Sequence, residues 1–237
     1  MTDSMRINKY LAHQGYCSRR EADTFIANGL VTINGKVATM GQQVHKGDSV
    51  KIKQKNLPSK RYLAYYKGRG IITHSPAENE TDIVAKLAQD YSITGVYPIG
   101  RLDKDSEGLI ILTDDGRVTG PLLDPDQAHE REYEVSVDKP INQWFLKHMT
   151  EGVNIEGYTT KPAIVTPLRN QKRFKVILTE GKKHQIRRMC AALGYQVTEL
   201  KRVRIMHINL DGLKPNQYRK IDGTELTTLL TTLNIKT

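Results

Sequence analysis

Apolar positions recur along this chain with two periods, and the switch between them marks where the elements change. Ile7, Tyr10 and Leu11 fall at i, i+3 and i+4, which predicts a short first helix. Ser18-Arg19-Arg20-Glu21 has the spacing of a capping box, with Ser18 as N-cap and Glu21 reaching back. Ala22, Phe25 and Ile26 give that second helix its apolar face, and Gly29 stands where a helix stop belongs. Val31-Thr32-Ile33 alternates into Asn34-Gly35, a hairpin turn signal, and Val50-Lys51-Ile52 adds a strand. The first 53 residues therefore predict a small module with its own core. Gln54 to Arg61, with Asn56, Pro58 and Ser59, reads as a linker, which divides the chain into residues 1–56 and 61–237. Beyond it, strands are predicted at 62–66, 70–74, 109–113, 131–137, 163–166, 173–179 and 203–210. Helices are predicted at 81–91, 141–151, 182–193 and 224–233. This order lacks regular βα alternation, so the fold class is α+β: a small N-terminal α/β module, then a mixed, largely antiparallel sheet flanked by helices.

Charge adds the first functional clue. Lys and Arg number 36 against 26 acids, a net charge of +10. The excess sits in two blocks, +5 over residues 1–56 and +9 over 169–204, while the rest of the chain sums to −4. Two basic surfaces separated by mildly acidic chain suit a polyanion such as nucleic acid. Arg6 and Lys9, with Arg19 and Arg20 at the start of the second helix, are the candidate contacts of the first block. The densest apolar run, Leu109 to Leu112, is a strand's length, far from the roughly 20 residues of a membrane span. Met1-Thr2-Asp3-Ser4 lacks the layout of a signal peptide, so a cytoplasmic protein is expected. Two cysteines, Cys17 and Cys190, cannot build a disulfide framework or a Cys-rich zinc site.

Two segments are dense enough in polar groups to carry chemistry. Gly100-Arg101-Leu102-Asp103-Lys104-Asp105-Ser106-Glu107-Gly108 sets five charges between two glycines and feeds the apolar run 109–112. A polar loop on the rim of a core is a common place for catalytic groups. Arg101 and Lys104 flank Asp103 and are expected to hold its carboxyl ionised. The second segment is Glu180-Gly181-Lys182-Lys183-His184-Gln185-Ile186-Arg187-Arg188-Met189. Ile186, Met189, Cys190 and Leu193 form a helical stripe that would pack on the sheet, leaving Lys182, Lys183, His184 (if protonated), Arg187 and Arg188 for phosphate contacts.

The run from Gly100 to Leu109 resembles the signature of the RsuA-type pseudouridine synthases, and Gln185-Ile186-Arg187-Arg188-Met189 resembles that family's later motif. Glu132-Tyr133 lies in its Lys/Arg-x-Tyr element. Ile7-Asn8-Lys9-Tyr10-Leu11 and Cys17-Ser18-Arg19-Arg20-Glu21-Ala22 resemble an S4-type RNA-binding domain. The likeness runs from Met5 to about Tyr218, and Arg204-Ile205-Met206 with the overall layout is most similar to the RluF type that acts on 23S rRNA. Two positions depart from the family: Lys67-Gly68-Arg69-Gly70 stands for Lys-Pro-x-Gly, and Asp114 stands where Asn is frequent.

The resemblance implies isomerisation of uridine in RNA to pseudouridine, with base flipping and without a cofactor or metal. It implies Asp103 as the essential aspartate, Arg187 as its basic partner, Tyr133 stacking on the flipped base and Ile186 packing against the uracil. Arg101 and Arg188 join the substrate-binding set, and Lys182 and Lys183 the RNA contacts. The expected partner is RNA, 23S rRNA first and a tRNA as a further candidate, for a monomer acting away from membranes. Two other classes compete. One is a non-catalytic S4-type RNA-binding protein, which leaves the 101–108 loop unexplained. The other is a metal-dependent nuclease placing Asp103, Asp105 and Glu107 around Mg²⁺.

Overall fold

The computed structural model describes residues 4–53, 59–78 and 80–235. The N-terminal module comprises β1 (Ser4–Arg6), α1 (Ile7–His13), α2 (Arg19–Ala27), β2 (Val31–Ile33), β3 (Lys36–Val37), β4 (Gln43–His45) and β5 (Val50–Ile52). The larger part runs β6 (Tyr62–Lys67), α3 (Ile83–Tyr91), β7 (Tyr97–Ile99), β8 (Glu107–Thr113), α4 (Thr119–Leu123), β9 (Arg131–Val137) and α5 (Gln143–Glu151). It continues with β10 (Asn154–Ile155), β11 (Tyr158–Thr159), β12 (Ile164–Pro167), β13 (Arg173–Leu178), α6 (Gln185–Ala192), β14 (Val197–Ile205), β15 (Ile208–Asn209), β16 (Tyr218–Lys220) and α7 (Gly223–Thr232).

In the N-terminal module the local signals act as the pattern predicts. The capping box of α2 is complete: Glu21 N donates to Ser18 Oγ, and Ser18 N donates to the Glu21 carboxylate. Gly29 follows the helix at φ +67°, and Asn34-Gly35 turns β2 into β3. Ile7, Leu11, Ala22, Ile26, Val31 and Val44 close a core that draws only on this module. Of the linker segment, residues 54–58 lie outside the described residues.

The main sheet has nine strands in the order β12-β13-β9-β14-β8-β6-β16, with β7 beside β8 and β15 beside β14. Every pairing in it is antiparallel except β14 with β8. That parallel contact spans two residue pairs, Lys201–Glu107 and Arg202–Gly108. Further along β8, β7 takes the place of β14 and pairs with Ile111 to Thr113. The sheet therefore opens at its centre. One half, β9, β13 and β14, packs α5 and α6 through Val135, Phe145, Phe174 and Met189. In the other half, β6 and β8 are buried on both faces. Leu63, Tyr65, Ile110 and Leu112 pack on α3, while Ala64, Leu109 and Ile111 pack with α4 and α7.

Three predicted elements differ by more than two residues. Residues 70–74 form no strand; they bend at Thr73 to Ser75, because their polar groups bond the 101–106 loop and the start of α3. The strand predicted at 203–210 begins at Val197 and turns at Met206, whose φ is +53°. Its first half carries Glu199, Lys201 and Arg202, which broke the apolar alternation that pattern reading relies on. Helix α6 starts at Gln185, three residues after the predicted start.

A buried ionic knot joins the two modules. Asp115, fully buried, accepts from the Tyr62 hydroxyl, from Arg117 Nε and Nη2, and from Arg117 N. Arg117 Nη1 in turn donates to Gly15 O at 3.1 Å, and Lys60 pairs with Glu21. Burial alone would raise the Asp115 pKa, but the bonds from Arg117 and Tyr62 outweigh it and hold it below the ordinary Asp range. Its contribution to stability is thus present above about pH 3.9 and lost as pH falls through the folded value. Asp115→Asn should cost about 3–5 kcal/mol in chemical denaturation at pH 7. The gap between variant and wild type should narrow below pH 4.

Candidate active site

Asp103 is placed by its loop, and the loop by three clamps. Ser106 N donates to Asp103 O, closing a turn between β7 and β8. The first clamp is Thr73, whose hydroxyl donates to Leu102 O at 2.7 Å and accepts from Leu102 N at 3.0 Å. The second is Lys67, at the end of β6 and fully buried. Its Nζ donates to Ile71 O (2.7 Å), Gly68 O (3.0 Å) and Lys104 O (3.4 Å). The third is Arg187 of α6, whose Nη2 donates to Ser106 Oγ (3.2 Å) and Asp105 O (3.4 Å).

Asp103 itself stays 39% exposed and faces a cavity of about 750 Å³ over the centre of the sheet. Arg101, Tyr133, Ile186, Lys182 and Lys183 also line it, as do Arg131, Arg202 and His184. Ile186 is buried in the first turn of α6, and Tyr133 is half-buried on β9, opposite Arg202 of β14. The volume falls within the range that encloses a small organic molecule.

The charges around Asp103 are arranged differently from what chain adjacency suggests. Lys104 turns away to Glu80, at 2.7 Å, and Arg187 grips the loop's backbone and Ser106 rather than the Asp103 carboxylate. The side chain that meets the Asp103 carboxylate is His184, with Nε2 3.3 Å from Oδ1. Chain neighbours diverge in a turn, whereas His184 arrives from another element at a left-handed φ of +52° just before α6. Glu180 builds that approach: buried, it accepts from Gln185 Nε2, Lys161 N and the Tyr158 hydroxyl. Arg188 is also turned from the cavity, pairing with Glu156 at 2.7 Å. In the N-terminal module Arg6, Lys9, Arg19 and Arg20 are all exposed. Among the described residues no three His, Cys, Asp or Glu side chains gather as a metal site, which gives the nuclease reading no support. Cys17 and Cys190 are buried free thiols, each pushed up to about 12 chiefly by burial.

Sequence reasoning missed His184 as a partner, and Lys67, Thr73, Arg131 and Arg202 altogether. His184 lay inside the second dense segment, so a signal existed. For the buried arginine and lysine there was none, since a cation in a strand reads as exposed.

An open pocket with one half-exposed carboxylate, Asp103, a second, buried one, Glu180, an aromatic wall and basic edges is the outline of a site for one nucleotide of a nucleic acid. Comparison with known proteins gives the class. The chain matches the RNA pseudouridylate synthase family over residues 61–192 and the S4 domain over residues 5–50, and it belongs to the pseudouridine synthase family. Among curated relatives, the dual-specificity RNA pseudouridine synthase RluF of Escherichia coli K12 is 40% identical over 94% of this chain and 77% of its own. Ribosomal large subunit pseudouridine synthase B of Bacillus subtilis is 31% identical over 93% of both. A crystal structure of a pseudouridylate synthase superposes with a TM-score of 0.69 at 27% identity, covering 95% of this chain and 99% of that one. The chain therefore carries an S4 RNA-binding domain and isomerises uridine in RNA to pseudouridine. No helix among the described residues is long and apolar enough to cross a membrane.

Burial pulls the Lys67 ammonium down to about 8, against the raising effect of Asp103, Asp105 and Glu107; Arg202 adds to the lowering. Between pH 8 and about 10.4 the unfolded chain holds the proton more firmly than the folded one, so this group's contribution to stability rises with pH. Subtracting the denaturation free energy of Lys67→Met from that of wild type should reveal this rise, at most about 1.4 kcal/mol per pH unit. Turnover of the variant should fall at least about tenfold, because a loosened loop misplaces an intact Asp103.

Proposed function

We propose that the cavity receives a single uridine turned out of folded RNA and that Asp103 carries the reaction on its sugar. The observation behind this reading is Asp103 held half-exposed by three clamps inside a cavity that Tyr133 and Ile186 also line. Tyr133 stacks on the base and Ile186 packs against it. Extrusion from a helix costs roughly a few kcal/mol, which these contacts offset. Asp103 acts as a nucleophile at C1′ or as a base at C2′, and either role needs an ionised carboxylate. Arg187 positions the loop from behind. One carboxylate suffices because uracil is recaptured by the same sugar and water is excluded rather than used.

The substrate we propose is 23S rRNA, with a tRNA as second target, in the cytoplasm and with the protein acting as a monomer. A relative named for the large ribosomal subunit and another named dual-specificity support that choice. The S4 module, residues 1–56, docks on RNA through Arg6, Lys9, Arg19 and Arg20, while Arg101, Lys182 and Lys183 at the cavity and Arg188 beyond it hold the backbone near the target.

Asp103→Asn should abolish tritium release from C5-labelled 23S rRNA while leaving RNA affinity within about threefold, because phosphate contacts dominate binding. Asp105→Asn and Glu107→Gln should keep substantial activity, with EDTA present throughout. Equal loss in all three variants, or inhibition by EDTA, would overturn the assignment. Removing residues 1–56 should weaken binding and flatten its salt dependence, by about 0.7 in the log–log slope for each phosphate that the module neutralises. An unchanged slope would remove the S4 module from the RNA interface.

A further inference from the structure

One cation at the floor of the cavity takes no part in holding Asp103 or the RNA backbone. Arg202 lies on β14 between Tyr133 of β9 and Gly108 of β8, and is 4% exposed. Its Nε donates to Leu109 O at 2.7 Å, which fixes the plane of the guanidinium. Its Nη2 is buried and finds no acceptor within the described chain. A buried charged N–H left unbonded is costly, and of the buried side-chain nitrogens without a partner among the described residues this is the one whose residue lines the cavity. Arg131, on the next strand, lines the same cavity and spends its Nη groups on His129 O and Leu122 O. Burial lowers its pKa; Tyr133 opposes that and the positive charge of Arg202 adds to the lowering, so the two guanidiniums share one local field.

The floor on the Arg131–Arg202 side is thus positive, desolvated and short of one acceptor, while the buried Glu180 elsewhere in the lining is already bonded by Tyr158, Lys161 N and Gln185. A phosphate is strongly hydrated and suits the exposed lysines of the rim. The floor beside Leu200, Ile205 and Ile186 suits a flat, weakly hydrated ring with a carbonyl edge. The reaction creates that species as an anion. When the N1–C1′ bond breaks, its electron pair goes to the uracil and spreads over N1 and the ring carbonyls. When C5–C1′ forms, a ring pair makes the new bond while the C1′–O bond to Asp103 breaks (on the base route, the C1′=C2′ pair takes the proton back from Asp103 at C2′); the C5 proton then leaves and N1 takes up a proton.

We propose that Arg202 donates its unpartnered Nη2–H to a uracil carbonyl oxygen and stabilises the uracilate while it is detached from the sugar. Arg202 keeps its own protons throughout; its task is to meet charge that develops only after bond breaking. The assignment rests on the uridine-in-cavity reading above.

The test uses full-length protein and total RNA from cells that lack it, grown on C5-tritiated uridine. Single-turnover tritium release is measured beside RNA affinity for wild type, Arg202→Ala, Arg202→Gln and Arg202→Lys. Removing one such donor should slow release about 100- to 1,000-fold, with affinity within about threefold of wild type. Arg202→Lys, which keeps the charge, should recover part of the rate that Arg202→Gln loses, a comparison that holds even if Arg202→Ala does not fold. Added guanidinium should restore Arg202→Ala, while urea of the same shape but no charge should not. Wild-type rates in the variants would overturn the proposal. So would affinity falling in step with rate, which marks a phosphate contact, or equal rescue by urea, which marks space filling. Absence of release from every form, wild type included, would overturn the uridine-in-cavity reading and this assignment with it.

Discussion

The site depends on how closely two strands approach at one glycine. A Cβ on Gly108 would lie 2.2 Å from Arg202 O and 2.6 Å from Arg202 N, and Gly108 sits at φ +110°. Only glycine satisfies both the space and the dihedral. That contact lets β8 meet β14 in parallel for two residues and then part from it, which opens the sheet at its centre. It also fixes the start of β8, and so the end of the loop that carries Asp103, directly beside Arg202. Any side chain at 108 would push loop and floor apart together.

Around that contact the fold concentrates its buried charges. Lys67, Glu180 and Arg202 are all buried, and each orders a piece of the cavity through backbone carbonyls, amides or a neighbouring side chain. Buried polar groups of this kind cost stability unless their bonds are made, and once made they hold one geometry in place of many. The result is a carboxylate that is itself half-exposed, yet carried by a loop gripped from three directions. Preorganisation sits in the groups behind Asp103, and access is left in front of it.

The two departures from the family pattern have local explanations. Gly68 N donates to Asn216 Oδ1 at 3.1 Å, and a Cβ there would come within 2.8 Å of that oxygen. A proline at 68 would lose the bond and collide, so Gly68 and Asn216 form a matched pair. Asp114 accepts from both Arg61 N and Arg61 Nε at 2.8 Å, while Arg61 Nη2 donates to Thr94 O. The carboxylate thus ties the start of β6 to the end of β8, and neither change touches the cavity.

Local signals determined much of this molecule. The Ser18–Glu21 capping box, the Asn34-Gly35 turn, the stripe Ile186–Met189–Cys190 and the apolar run 109–112 all act within a few residues, so the chain shows them without its fold. The signature around Asp103 was legible for the same reason, as a contiguous run. Tertiary structure decided what distant segments do to one another. It gave Asp103 to His184 instead of Arg101 and Lys104, because successive side chains in a turn point apart. It turned 70–74 from a predicted strand into a clamp, since those polar groups are used by a loop thirty residues away. It also buried Lys67 and Arg202, which no periodicity marks: a cation becomes an interior group only when several separate strands and loops close over it and supply its partners.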